Sequence, residues 1–249
     1  MSEQNFAGRT AIIVGGASGM GLLAGQDLAK QGATVILADV NGEKVEALAA
    51  DIRANGGNAY GVKCDVRKVE DIENAVAFTK EKGGSVDIMI YTAGGFAGRI
   101  FNCPEPFQSR PYEVLDWGID VNLKGALFFC RAVIGTMIEQ KRGVMIVLGS
   151  IDGVTGSAWS VDYSAAKSGM IGMVKGLAML GAPHNVRACC VSPGPVLTRP
   201  GMANMPTPMG RAAEPQEVVD LILYLASDKA AFISGDNYLI DGARACMVR

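Results

Sequence analysis

The chain has 249 residues, 49% of them hydrophobic, and carries 23 Lys and Arg against 25 Asp and Glu for a formal net charge of -2. That length suits one α/β sheet domain with a large core, and the near-balanced charge leaves no basic footprint for nucleic acid. The first residues hold no basic segment followed by an apolar stretch, and no run approaches the roughly 20 apolar residues of a bilayer span, so a cytoplasmic protein without a membrane partner is expected. None of the six cysteines forms a C-x-x-C pair, and the single histidine, His184, sits in a polar loop. Free thiols and no metal site are expected.

Short β-branched runs fall at 10–14, 34–39, 59–64, 87–92, 144–148, 186–191 and 237–240. Helical periodicity fills 20–31, 42–54, 68–82, 112–139, 159–180 and 215–226 between them. Near-continuous apolar strands alternating with helices predict a doubly wound, seven-stranded parallel sheet with helices on both faces. No linker or repeat divides the chain, so a single domain over 1–249 is expected. Segments 95–110 and 195–211 follow neither period. Both lie beyond strand ends, where the ligand crevice of an open parallel sheet opens, and are expected to hold substrate.

The first run ends in Val14-Gly-Gly-Ala-Ser-Gly-Met-Gly21, which leads straight into a helix. A turn of this kind brings backbone N–H groups and a positive helix end against a pyrophosphate; glycines also end strands and let helices pack, but the place in the first β-α-β unit favours Gly15, Ser18, Gly19, Met20 and Gly21 as dinucleotide contacts. At the end of the second run, 18 residues past Gly21, stands Asp39. A carboxylate there accepts from the adenosine ribose hydroxyls and repels a 2′-phosphate, which favours NAD over NADP. Ala17, Ser18, Val40 and Asn41 add no cation.

The fifth run ends at Ser150, thirteen residues before Tyr163, and Lys167 follows four later. Four residues turn a helix by about 400°, so phenol and ammonium share one face. The cation favours the phenolate, lowering a pKa that is ordinarily about 10, and makes Tyr163 a candidate acid/base. Taken alone, the pair is equally compatible with two unrelated helix residues.

These motifs, in this order over nearly the whole chain, resemble the short-chain dehydrogenase/reductase family, whose fold is the single-domain Rossmann sheet. The glycine turn matches Gly15, Gly19 and Gly21, and the catalytic set matches Asn122, Ser150, Tyr163 and Lys167. By the same resemblance Asp65 and Val66 serve the adenine, and Thr92, Ala93 and Gly94 the cofactor ribose. Pro193 and Gly194 form the turn after the sixth strand, with Val196 and Thr198 on the nicotinamide carboxamide. The family's Asn kinks its helix and holds a water that relays protons from the lysine; a buried Asn122 merely bonding a neighbouring carbonyl is the other reading. Two departures stand out: Val14 where the family usually has Thr, and Tyr91-Thr92 in place of Asn-Asn before Ala93-Gly94. Members of this size are mostly homotetramers, joined through the helices equivalent to 112–139 and 159–180 and the C-terminal segment; a dimer is the smaller alternative.

The resemblance implies a short-chain alcohol dehydrogenase or ketoreductase acting on a small-molecule secondary alcohol or ketone. A hydroxysteroid or bile acid, a cyclic ketone and a polyol all remain open. Asp152, Trp159 and Phe96 are the candidate substrate contacts, and Asp152 can equally cap a turn. Phe96, Phe101, Phe107, Met202, Met205 and Met209 either wall the pocket or seal the core and subunit contacts. The competing function is a catalytically inactive NAD-sensing regulator, favoured slightly by Tyr91-Thr92 and opposed by the intact Ser, Tyr and Lys.

Overall fold

The computed structural model describes residues 5–247. Its elements run β1 (Thr10–Val14), α1 (Gly19–Lys30), β2 (Thr34–Asp39), α2 (Gly42–Ala54), β3 (Asn58–Lys63), α3 (Val69–Gly83), β4 (Ile88–Tyr91) and the short α4 (Ala97–Ile100). They continue through α5 (Tyr112–Ile119), a π-helical turn (Asp120–Lys124), α6 (Gly125–Gln140), β5 (Gly143–Leu148), the short α7 (Asp152–Thr155), α8 (Val161–Gly181), β6 (Val186–Pro193), α9 (Pro215–Ala226) and β7 (Asn237–Ile240). The seven strands form one parallel sheet in the order β3-β2-β1-β4-β5-β6-β7.

The apolar strand runs are buried on both faces, and the period of two decides which side chain goes where. Ile13, Leu37, Ile90 and Ile146 pack with α1, α2 and α9, while Ile12, Ile36, Met89 and Met145 pack with α3, α6 and α8. Strand order reverses between β1 and β4, so the loops leaving their C-terminal ends part and open a crevice there.

Several boundaries differ from the sequence reading for visible reasons. β4 is shorter than 87–92 because Asp87 turns its carboxylate to the Thr10 N–H, Ser85 and Arg142, pinning the foot of the sheet. The periodicity over 159–180 begins as a helix only at Val161, and 152–155 form a separate turn of helix. The run over 112–139 is interrupted by the π turn. There the amide of Asn122 donates to the Gly118 carbonyl at 2.9 Å, the acceptor that its own N–H would use in an α-helix. Contrary to the expectation that no segment approaches a bilayer span, Tyr112–Gln140 contains an apolar window of mean hydropathy 1.4. Half of that window is buried in the protein, where α6 lays Phe129, Val133 and Met137 against the sheet.

Candidate active site

At the end of β1, Gly15 has φ +86, and a Cβ there would stand 2.6 Å from the Ala93 nitrogen. A Cβ on Gly21 would meet the Gly15 carbonyl and the Thr92 hydroxyl. Only glycine lets the two strand ends approach this closely. Thr92 donates its hydroxyl to the Val14 carbonyl at 2.9 Å, tying β4 to β1 where Thr replaces the expected Asn. Tyr91 is fully buried, its hydroxyl 2.6 Å from the Val121 carbonyl of the π turn and its ring edge-on to Phe129. The missing side chain of Gly125 makes its room, since a Cβ would come 2.6 Å from the Tyr91 oxygen. The Tyr91-Thr92 departure is thus built into the scaffold.

A cavity of about 360 Å³ opens over the glycine turn. Gly15, Ser18, Gly19, Met20 and Gly21 line one side, Thr92, Ala93 and Gly94 another, and Asp39, Asp65 and Val66 the far end. Asp39 accepts from the Ala17 N–H at 3.2 Å and the Asn41 N–H at 3.1 Å, so the same carboxylate braces the glycine turn. Arg67, which the sequence reading passed over, also lines this cavity. Its guanidinium grips Asp65 through both carboxylate oxygens, at 2.9 and 2.6 Å, and holds that carboxyl below its ordinary pKa.

A second cavity, of about 650 Å³, shares Met20, Thr92, Gly94 and Thr198 with the first. Ser150, Tyr163 and Lys167 line it, as do Pro193, Gly194 and Val196 from the end of β6. Asp152, Trp159 and Phe96 lie on its wall, Trp159 at the rim with 69% exposure. Of the apolar candidates Phe96, Met202 and Met205 reach the cavity. Phe101 instead packs edge-on against Trp117, and Phe107 and Met209 are exposed. Asp152 does two things at once, accepting from the Ser160 hydroxyl at 3.0 Å while facing the cavity.

The Ser150 oxygen accepts from the Asp152 N–H at 3.2 Å, which leaves its hydroxyl proton to be donated toward the Tyr163 oxygen. Desolvation pushes the Tyr163 phenol up to about 12, and the hydrogen bond with Ser150 is the largest opposing influence. Lys167 is buried, and desolvation draws its ammonium down to about 8. Its nitrogen lies 5.4 Å from the Tyr163 ring centroid but donates to the Leu148 carbonyl at 2.6 Å. The lowered phenol pKa expected from the Tyr-Lys spacing is therefore not found, because burial outweighs a cation that is turned toward β5.

Asn122 lies behind the site and lines neither cavity. Its oxygen accepts from the Gly95 N–H, and its amide donates to the Gly95 and Gly118 carbonyls, each at 2.9 Å. The carbonyl contacts are those of the second sequence reading and the π turn is the helix kink of the first; the side chain clamps the start of loop 95–110 to the π turn. Three cationic residues of this cavity were missed, Arg99, Arg199 and Arg244. The available signal was a cation in each of the two loops left unassigned, Arg199 directly after Thr198.

A family model described as short chain dehydrogenase matches residues 9–207. The chain is 31% identical to L-rhamnose 1-dehydrogenase (NAD(P)(+)) of Azotobacter vinelandii, with 94% of this chain and 95% of the relative covered. It is 32% identical to cyclopentanol dehydrogenase of Comamonas sp., covering 94% and 96%. Among solved structures, that of gox2181 superposes with a TM-score of 0.89 at 32% identity, covering 98% of both chains.

Proposed function

The chain belongs to the short chain dehydrogenase family, and we propose that it is an NAD(H)-dependent oxidoreductase interconverting a secondary alcohol and a ketone, with Tyr163 as acid/base. The observation that carries this reading is the meeting of the Ser150, Tyr163 and Lys167 wall with the glycine cradle along one shared cavity edge. The cradle fits a dinucleotide: side chains are excluded at Gly15 and Gly21, and Asp39 faces the end where an adenosine ribose would lie. A bound nicotinamide supplies the hydride acceptor for oxidation and the donor for reduction.

In oxidation, the Tyr163 phenolate takes the hydroxyl proton as the carbinol carbon loses its hydride and the carbonyl forms. Ser150 donates to the same oxygen and stabilises the charge that develops there. Lys167, 5.4 Å from the ring centroid, favours the phenolate to the extent that its ammonium leaves the Leu148 carbonyl. Asn122 holds Gly95, and with it the entry to the substrate loop. An alcohol such as cyclopentanol, named for one relative, is of the class this site takes. The test is NADH absorbance on incubation with NAD and a panel of secondary alcohols. Cofactor binding without turnover across the panel would favour an NAD-sensing role instead.

Asp39 is the basis for preferring NAD over NADP. Asp39→Ala is expected to raise the ratio of kcat/KM with NADP to that with NAD by about tenfold or more, since it removes a charge opposed to the 2′-phosphate. Equal use of both cofactors by the wild type would sink the preference. A homotetramer is the expected assembly, supported by exposed apolar side chains on α8 and the C-terminal region, Met179, Leu180, Phe232 and Leu239. The last two residues of the 242–249 tail lie outside the described residues. Light scattering is expected to give four times the 26.0 kDa chain mass, and a monomer would refute the assembly.

A further inference from the structure

We propose that the alcohol or ketone taken by this site carries a carboxylate or phosphate oxyanion, held by Arg99 and Arg199 at the mouth of the cavity in front of Tyr163. The inference rests on the dehydrogenase reading of the site and names the class of its substrate. The 650 Å³ cavity is lined by four cations, Arg99, Arg199, Arg244 and Lys167, against one carboxylate, Asp152. The chain as a whole is slightly acidic, so this excess does not follow from composition.

The four cations are not equivalent. Lys167 is engaged by the Leu148 carbonyl beneath the phenol, and Arg244 donates to the Pro206 carbonyl. The nearby Arg110 is paired with Asp162. Arg99 and Arg199, by contrast, form no ion pair and make no side-chain hydrogen bond among the described residues. The one carboxylate of the cavity accepts from Ser160 and pairs with neither.

Both guanidiniums are set on anchored backbone. Arg99 lies on α4, its Nη2 3.2 Å from the position a Cβ on Gly95 would take, and Gly95 is the residue clamped through both backbone groups by Asn122. Arg199 follows Thr198 in a segment tied down by the Leu197 N–H to the Ala213 carbonyl at 2.9 Å. The two cations act on one another: burial first, and then Arg99, pulls the Arg199 pKa below its ordinary value. Both also act on the Tyr163 phenol, Arg199 more than Arg99. Two like charges turned to one cavity without a counter-ion repel, and an oxyanion between them removes that repulsion while accepting charge-assisted, bidentate hydrogen bonds from each fork. One anion bound there would also bridge the two loops that the sheet leaves irregular.

The test compares three probes on one carbon skeleton, 3-hydroxyhexanoate, its methyl ester and 3-hydroxyhexyl phosphate, oxidised with NAD by the wild type and by the Arg99→Gln/Arg199→Gln double variant. In the wild type, kcat/KM for at least one anionic probe is expected to exceed that for the ester by about tenfold or more. In the variant that ratio falls close to one, through KM, and the better anion identifies the oxyanion. NADH affinity, read by fluorescence, is expected to stay within about twofold in the variant. If the ester is oxidised as well as the anions, or the ratio survives the double substitution, the inference fails and the dehydrogenase reading stands. If the ratio survives while NADH binding weakens, the arginines serve the cofactor and the inference also fails. If NADH binds and no probe is oxidised, the dehydrogenase reading is what suffers. Calorimetric titration of the three probes into the enzyme–NADH complex then decides the anion site alone. A preference for the anions that the variant loses supports it, and equal binding or none overturns it.

Discussion

Tyr163→Phe is expected to lower turnover by about a hundredfold or more while leaving NADH binding intact. The substitution keeps the ring that lies beside Lys167 and removes only the hydroxyl proposed to exchange a proton with the substrate oxygen. The pH dependence has a definite sign. With the phenol held at about 12 by desolvation, almost no phenolate is present near neutrality. Oxidation needs the deprotonated phenol to accept a proton, so its rate should keep climbing as the pH rises from about 7 toward the phenol's value of about 12. Reduction needs the neutral phenol and should not share that climb. The residual oxidation of the Phe variant should lose the slope. A Phe variant with wild-type turnover, or one that keeps the same slope, would remove Tyr163 from the chemistry.

The fold and the glycine cradle were legible in the sequence because both depend on local patterns, whereas much of the remaining cavity lining came only through the family resemblance. Apolar runs of strand length, glycines at a strand-to-helix turn and a carboxylate at the next strand end each carry their own steric or electrostatic reason. What was not legible depends on residues far apart in sequence. The Tyr91-Thr92 departure reads as a defect until Gly125 is seen to vacate the space that the Tyr91 ring needs. The i,i+4 spacing places Lys167 and Tyr163 on one face, yet it says nothing of the Leu148 carbonyl that turns the ammonium aside. Asn122 follows the same rule: its position in the motif is evident, but its partners Gly95 and Gly118 lie in the loop after β4 and on α5, and the π turn brings the side chain between them. The arginines were hidden for a further reason, since loops without periodicity give no signal of which side chains turn inward.

Arg110 shows how loop 95–110 is fastened to α8, and breaking that fastening is expected to be the largest stability loss available in this region. Arg110 ends the irregular segment, and Asp162 immediately precedes Tyr163 on α8; their side chains are each 2% exposed and meet at 3.1 Å. Arg110 also donates to the Glu105 and Trp159 carbonyls and lies 5.0 Å from the Phe96 ring centroid, so one guanidinium gathers the loop, the cavity rim and the helix start. The geometry is not fully satisfied, since the Arg110 Nε and one Asp162 oxygen lack hydrogen-bond partners. An ion pair of this kind gains little over an apolar replacement, but removing one partner strands a buried charge. Asp162→Ala or Arg110→Ala should therefore cost about 3–5 kcal/mol. For a chain of this size that is a fall in Tm of roughly 10 °C. The double variant Arg110→Leu/Asp162→Leu should lose less than either single one, because no charge is left uncompensated. Thermal unfolding of the three variants decides the matter: single variants within about 2 °C of wild type, or losses that simply add in the double, would mean that solvent reaches the pair and that the loop is held by its backbone contacts instead.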